Sequence, residues 1–76
     1  MDKARLEQHL AEAERHIVQG EKLVTQQRQL VAELERYRFA SSVARDLLMT
    51  FEKALAQHVA DRDWIRSELG LDNSEK

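Results

Sequence analysis

Proline and cysteine are absent from this 76-residue chain, glycine occurs twice, and aromatic residues make up only 5% of it. Without cysteine there is no disulfide and no thiol chemistry. Without proline, nothing in the chain forbids long uninterrupted helices. With glycine confined to Gly20 and Gly70, there is no glycine-rich phosphate loop and no Gly-x-Ser-x-Gly nucleophile turn. No apolar run approaches the roughly 20 residues of a membrane span. The first residues, Met1 to Glu7, lack the apolar stretch of a secretory leader, so the cytoplasm is the expected compartment. An excess of positive charge is missing too. Twelve Lys and Arg face 14 Asp and Glu, for a net charge of −2, whereas a nucleic-acid binder of this size carries a strongly basic face.

What the chain does have is a heptad ladder. Core-type positions step by four and three through Leu6, Leu10, Ala13, Ile17, Gly20, Val24, Gln27, Val31 and Leu34. Continuing the same count from Leu10 puts charged Arg38, Arg45 and Glu52 in the seam, so the register fails there. It resumes three residues out of step as Ala44, Leu48, Phe51, Leu55, His58, Arg62, Ile65 and Leu69. Such spacing specifies helices that pack on helices. The break marks either a stammer in one long helix or a chain reversal. Ser41 and Ser42 are good N-cap types, and Tyr37, Arg38 and Phe39 are weaker helix formers than the residues before them. The chain therefore reads as one all-α domain, an antiparallel two-helix hairpin. The first helix covers about 2–37, the turn about 38–41, and the second helix about 42–69. Gly70 serves as a helix stop, and 70–76 form a short polar tail.

A symmetric reversal would align Gly20 with His58 or Val59, Val24 with Leu55, Val31 with Leu48 and Ile17 with Arg62. The expected reason for a glycine in mid-helix, at a cost of about 1 kcal/mol against alanine, is close approach, with the His58 ring over a position that has no side chain. Glu21, His58 and Arg62 would then form a small polar layer in the core that fixes register. Pairs three apart, such as Glu12 with Arg15, Glu33 with Arg36, Glu35 with Arg38 and Asp63 with Arg66, read as a solvated helix surface.

A two-helix hairpin of this size buries little. The second stripe of Leu23, Leu30 and Tyr37, with Leu47 and Ala54 on the other helix, widens the apolar face beyond what a single seam needs. Two hairpins pairing into a homodimeric four-helix bundle would cover it, with Leu23, Leu30, Leu47, Phe51 and Trp64 as the expected interface. Trp64 lies off the main face, in line with Ala56, Ala60 and Leu71.

The residues that can carry chemistry are few. His9 and His16 are seven apart, about 10 Å along a helix, which is too far to chelate one ion together. The Glu-x-x-His spacing of di-iron bundles is absent. No catalytic constellation is evident, and no cofactor or metal is expected. The expected function is a non-catalytic protein–protein interaction or scaffold module that self-associates through its apolar faces. Two alternatives stand behind it: a nucleic-acid or anion-binding regulator using Arg36, Arg38 and Arg45 near the turn, and a metal or small-ligand bundle using His58, His16 and Glu21.

The runs Leu10-Ala-Glu-Ala-Glu-Arg-His-Ile-Val-Gln-Gly-Glu-Lys and Gln26-Gln-Arg-Gln-Leu-Val-Ala-Glu-Leu-Glu-Arg36 precede Ala44-Arg-Asp-Leu-Leu-Met-Thr-Phe-Glu52 and His58-Val-Ala-Asp-Arg-Asp63. In this order the sequence resembles a group of short helical-hairpin proteins abundant in rhizobia and related alphaproteobacteria, over roughly Leu6 to Leu69. That group carries a Gly-His-Asp-Thr-like turn where this chain has Arg38-Phe39-Ala40-Ser41, so only the hydroxyl position is shared. The resemblance implies a bacterial helical hairpin and no particular activity.

Overall fold

A computed structural model describes residues 2–70 as two helices, α1 (Lys3–Arg36) and α2 (Ser42–Glu68), folded back on each other as a hairpin. The expected tail from Leu71 onward lies outside the described residues. The helix α1 begins at Asp2, whose carboxylate accepts from the Arg5 amide at 2.8 Å, satisfying one of the orphan amides of the first turn. Ser41 stands at the N-cap of α2, as its residue type suggests, but its hydroxyl makes no capping bond. The Ser41 carbonyl nonetheless accepts the first bond of the helix, from the Arg45 amide at 2.9 Å.

The reversal needs neither glycine nor proline because Arg38 adopts the conformation glycine would supply. Its φ is 63°. The Phe39 amide donates to the Leu34 carbonyl at 2.8 Å and the Arg38 amide to the Glu35 carbonyl at 3.1 Å. These are the two bonds of a Schellman ending, which normally places glycine at the left-handed residue. The helix α2 ends in related fashion at Gly70, with φ 76° and its amide donating to the Ser67 carbonyl at 3.1 Å.

Every position of the heptad ladder is withdrawn from solvent, fully or in part. In α1 the buried residues are Leu6, Ala13, Ile17, Gly20, Val24 and Gln27, with Leu10, Val31 and Leu34 half-buried. In α2, Ala44 and Ile65 are buried, and Leu48, Phe51, Leu55, His58, Arg62 and Leu69 are half-buried. At the open end, away from the turn, Leu6, Ala13 and Ile65 form a cluster packed by Leu10 and Leu69.

Registration differs from the symmetric expectation by about one helical turn. Gly20 faces Leu55, not His58 or Val59: a Cβ placed on Gly20 would lie 3.1 Å from Leu55 Cδ1 and 3.8 Å from Leu55 Cα. The reason lies in the loop. Phe39, Ala40 and Ser41 are outside helical pairing, and a non-helical residue covers up to about 3.3 Å of path against 1.5 Å for a helical one. The returning chain therefore travels farther along α1 before α2 begins. Gln27 secures this register from the polar side. It is only 8% exposed, and its Nε2 donates to the Ala44 carbonyl at 2.9 Å.

The hairpin is one helix thick. Its extents are 52 × 25 × 14 Å and its radius of gyration is 16.5 Å, against about 11 Å for a compact domain of this length. No side chain among the described residues is fully buried.

Two substitutions test this architecture. Replacing Arg38 with glycine relieves a left-handed conformation and should stabilise the hairpin by about 0.5–1 kcal/mol; an unchanged or lower urea midpoint would mean that Arg38 makes compensating contacts. Replacing Gly20 with leucine should cost about 1–3 kcal/mol from overpacking against Leu55, while Val18→Leu on the exposed side of α1 leaves the melting temperature nearly unchanged. Equal melting of the two variants would move Gly20 out of the seam.

Candidate functional site

With the ladder taken as heptad positions a and d (Leu10 and Leu48 at a, Ala13 and Phe51 at d), the residues flanking the seam fall on two edges. The e edge carries Glu7, Glu14, Glu21, Arg28 and Glu35 from α1, opposite Arg45, Glu52, Val59 and Arg66 from α2. The g edge carries His9, His16, Leu23, Leu30 and Tyr37 opposite Leu47, Ala54, Asp61 and Glu68, with its charge confined to the open end. In an antiparallel pair, like edges meet.

The two edges are built differently. Across the e edge, Arg28 Nη2 donates to Glu52 Oε2 at 3.2 Å, and Arg45 is ion-paired with Glu35. These two pairs brace α1 against α2. The i,i+3 pairs expected from the sequence are not those that form. Among the described residues the remaining charge pairs are His9 with Glu12 (3.7 Å) and Arg62 with its neighbour Asp63 (2.9 Å). Exposed pairs of this kind contribute little stability individually. Their consequence is geometric, since two cross-helix pairs on one edge leave that edge polar and occupied.

Among the described residues, no ion pair crosses the g edge. Leu23 and Leu30 are 44% exposed and Leu47 is 43% exposed. From Leu23 toward the open end runs a shallow groove of about 100 Å³, lined by Leu23, Gly20, Phe51, Ala54 and Leu55, with His16 and His58 at its far end. Gly20 helps shape it, because the missing side chain lowers the wall on the α1 side. Phe51 belongs to both the seam and the groove. Half-buried, it shows one side to Leu55's neighbourhood and the other to solvent.

Past His16 and His58 the groove opens into a larger cleft of about 360 Å³ at the open end of the hairpin. It is lined by His9, Glu12 and His16 from α1, His58, Asp61 and Trp64 from α2, and the floor residues Leu6, Ala13 and Ile65. All three histidines of the chain thus line one cleft. The His16 and His58 rings lie with centroids 4.9 Å apart, inclined by 42°. Trp64 is 56% exposed on the rim. Gln57 Nε2 donates to Asp61 Oδ1 at 3.1 Å.

The expected polar layer of Glu21, His58 and Arg62 is therefore replaced by another. Glu21 sits on the e edge, exposed, and is bonded to neither His58 nor Arg62. The half-buried Arg62 turns to Asp63, donating from Nε at 3.0 Å. The partner of His58 is His16. The same one-turn difference in register that puts Leu55 over Gly20 brings His58 back to the level of His16. Sequence reasoning had the three histidines and their helical sides. It lacked the registration that joins them, and with it the membership of Trp64 in the same cleft. Among the described residues, no group of three His, Asp or Glu side chains converges on a point that would hold a metal ion.

The arginines near the turn are largely engaged. Arg45 pairs with Glu35, and the Arg36 guanidinium lies 5.6 Å from the Tyr37 ring centroid, within cation–π range. Arg38 carries the left-handed turn. No helix among the described residues is long and apolar enough to cross a membrane.

The class the geometry defines is thus a two-helix hairpin with one braced polar edge and one open apolar edge that ends in a histidine cleft. No protein-family model, curated protein or solved structure matches the chain, so its own residues carry the functional argument.

Trp64 offers a direct probe of the cleft. In dilute protein its emission should be that of a water-exposed indole and readily quenched by acrylamide. A blue-shifted, protected signal at the lowest concentrations would place Trp64 inside a cover that the isolated hairpin does not provide.

Proposed function

We propose that this chain is a non-catalytic protein–protein interaction module that self-associates through its g edge, two hairpins pairing into a homodimeric four-helix bundle in the bacterial cytoplasm. The observation that carries the reading is the difference between the two edges: Leu23, Leu30, Leu47 and Ala54 line the edge that no ion pair closes. Apolar side chains at this spacing on both helices supply the second layer of knobs that a bundle needs.

Area supports the same reading. A folded monomer of 8.9 kDa exposes about 4,800 Å², and this chain exposes 6013 Å². A stable interface of ordinary size removes about 800 Å² from each partner. A second copy laid along the g edge would bring the exposed area of each chain close to that of a compact domain. Domains are built from two packed layers, and a hairpin 14 Å deep has one. The face is also suited to its own copy. Its apolar stretch lies in the half of the hairpin nearer the turn, and a two-fold axis running parallel to the hairpin's length sets leucines on leucines at the same level, as an isologous interface requires.

Light scattering over a concentration series tests this. The wild type should pass from monomer to a compact dimer as concentration rises. Leu23→Glu combined with Leu30→Glu should weaken association at least tenfold while helicity is retained. Met49→Glu, on the opposite flank of α2, serves as the control and should leave association unchanged. A chain that stays monomeric throughout, or equal weakening by Met49→Glu, would overturn the proposal.

A further inference from the structure

We propose that His16 and His58 form a two-point binding site for a divalent transition-metal ion, which would clasp α1 to α2 at the open end of the hairpin. The inference is independent of self-association. It begins from ring geometry. With metal–nitrogen distances of about 2.0–2.1 Å, two imidazoles that share one ion at a roughly tetrahedral or square angle hold their centroids about 5 Å apart. The His16 and His58 centroids are 4.9 Å apart, with the rings tilted rather than stacked. The two side chains come from different helices, and the seam fixes both. His16 follows the buried Ala13 by three residues, and His58 follows Leu55, the residue seated over Gly20, by three. The separation is therefore held by the fold.

The surroundings favour a cation. Glu12, one turn before His16, and Asp61, one turn after His58, line the same cleft. Arg62, one turn after His58, is paired with Asp63. Among the described residues no third His, Asp or Glu converges with the two rings, so water would complete the coordination shell. This open, nitrogen-rich donor set suits Zn²⁺, Ni²⁺ and Cu²⁺ rather than Mg²⁺ or Ca²⁺, which demand oxygen ligands. The cleft is wide enough for the ion and its waters, and it opens directly to solvent.

Because the ion bridges two helices, binding to the folded chain raises its stability by mass action, which gives a readout that needs no known activity. Thermal unfolding of the full chain at one fixed protein concentration and neutral pH, with and without excess Zn²⁺, is the test. The expected result is a rise of several degrees with Zn²⁺ and none with Mg²⁺. The rise should be lost in His16→Ala and in His58→Ala, and kept in His9→Ala. His16 is exposed, so its variant leaves the seam intact. As a check that needs no variant, a trace of paramagnetic Cu²⁺ should broaden the His16 and His58 imidazole resonances together, and more strongly than those of His9. No Zn²⁺-induced shift, a shift that survives His16→Ala, or broadening centred on His9 would each overturn the proposal.

Discussion

The structure depends on one close approach. At Gly20 the backbone of α1 lies against Leu55 with no side chain between, and this contact sets how the two helices slide relative to each other. Seven residues away, Gln27 holds the same registration by donating to the Ala44 carbonyl from a buried position. An apolar seam alone tolerates slippage by a helical turn, because leucine and valine pack acceptably against several partners. A missing side chain and a directed hydrogen bond do not tolerate it. Once both are in place, the positions of the other cross-helix pairs follow, including the two ion pairs of the e edge and the two imidazoles at the open end.

The one-sided distribution of charge is the second consequence. Two helices in a single layer share a seam and leave everything else wet. On the e edge that exposure is harmless, because glutamate and arginine are at home in water and reach across to each other. On the g edge the same exposure leaves leucine side chains half in solvent, and apolar area in water is unfavourable by about 25 cal/mol per Å². The g edge therefore carries an unresolved hydrophobic demand, and the proposed self-association would answer it. The histidine cleft continues that edge toward the open end, so a metal-stiffened end and an apolar turn-side half would lie along one continuous face.

Most of the fold was legible in the residues. The ladder from Leu6 to Leu34 and from Ala44 to Leu69 named the residues that withdraw from solvent, because burial in a two-helix seam obeys a simple angular rule. The position of the reversal was legible from the break in that ladder, although the device that makes it was not: Arg38 in the left-handed region leaves no trace in a sequence where glycine would be expected. Registration was the illegible quantity. It depends on how far three non-helical residues carry the chain, a length that no residue type encodes. An error of one turn was enough to pair His58 with Gly20 and Glu21 instead of with His16. The exposed stripe of Leu23, Leu30, Leu47 and Ala54 could be read directly, whereas His58 and His16 could be grouped only as an alternative with Glu21, and neither His9 nor Trp64 could be placed beside them.

Under the proposed self-association the open edge is closed side-on by a second copy, and two one-layer hairpins become one two-layer bundle. Small-angle X-ray scattering across a dilution series measures this most directly, because length and cross-section change independently. The account predicts that, as the dimer forms, the longest dimension stays near the 52 Å of the single hairpin while the cross-sectional radius of gyration increases. A longest dimension that grows toward twice that length with a constant cross-section would mean end-to-end contact through the cleft or the turn, and would contradict the assignment of the g edge as the assembly surface.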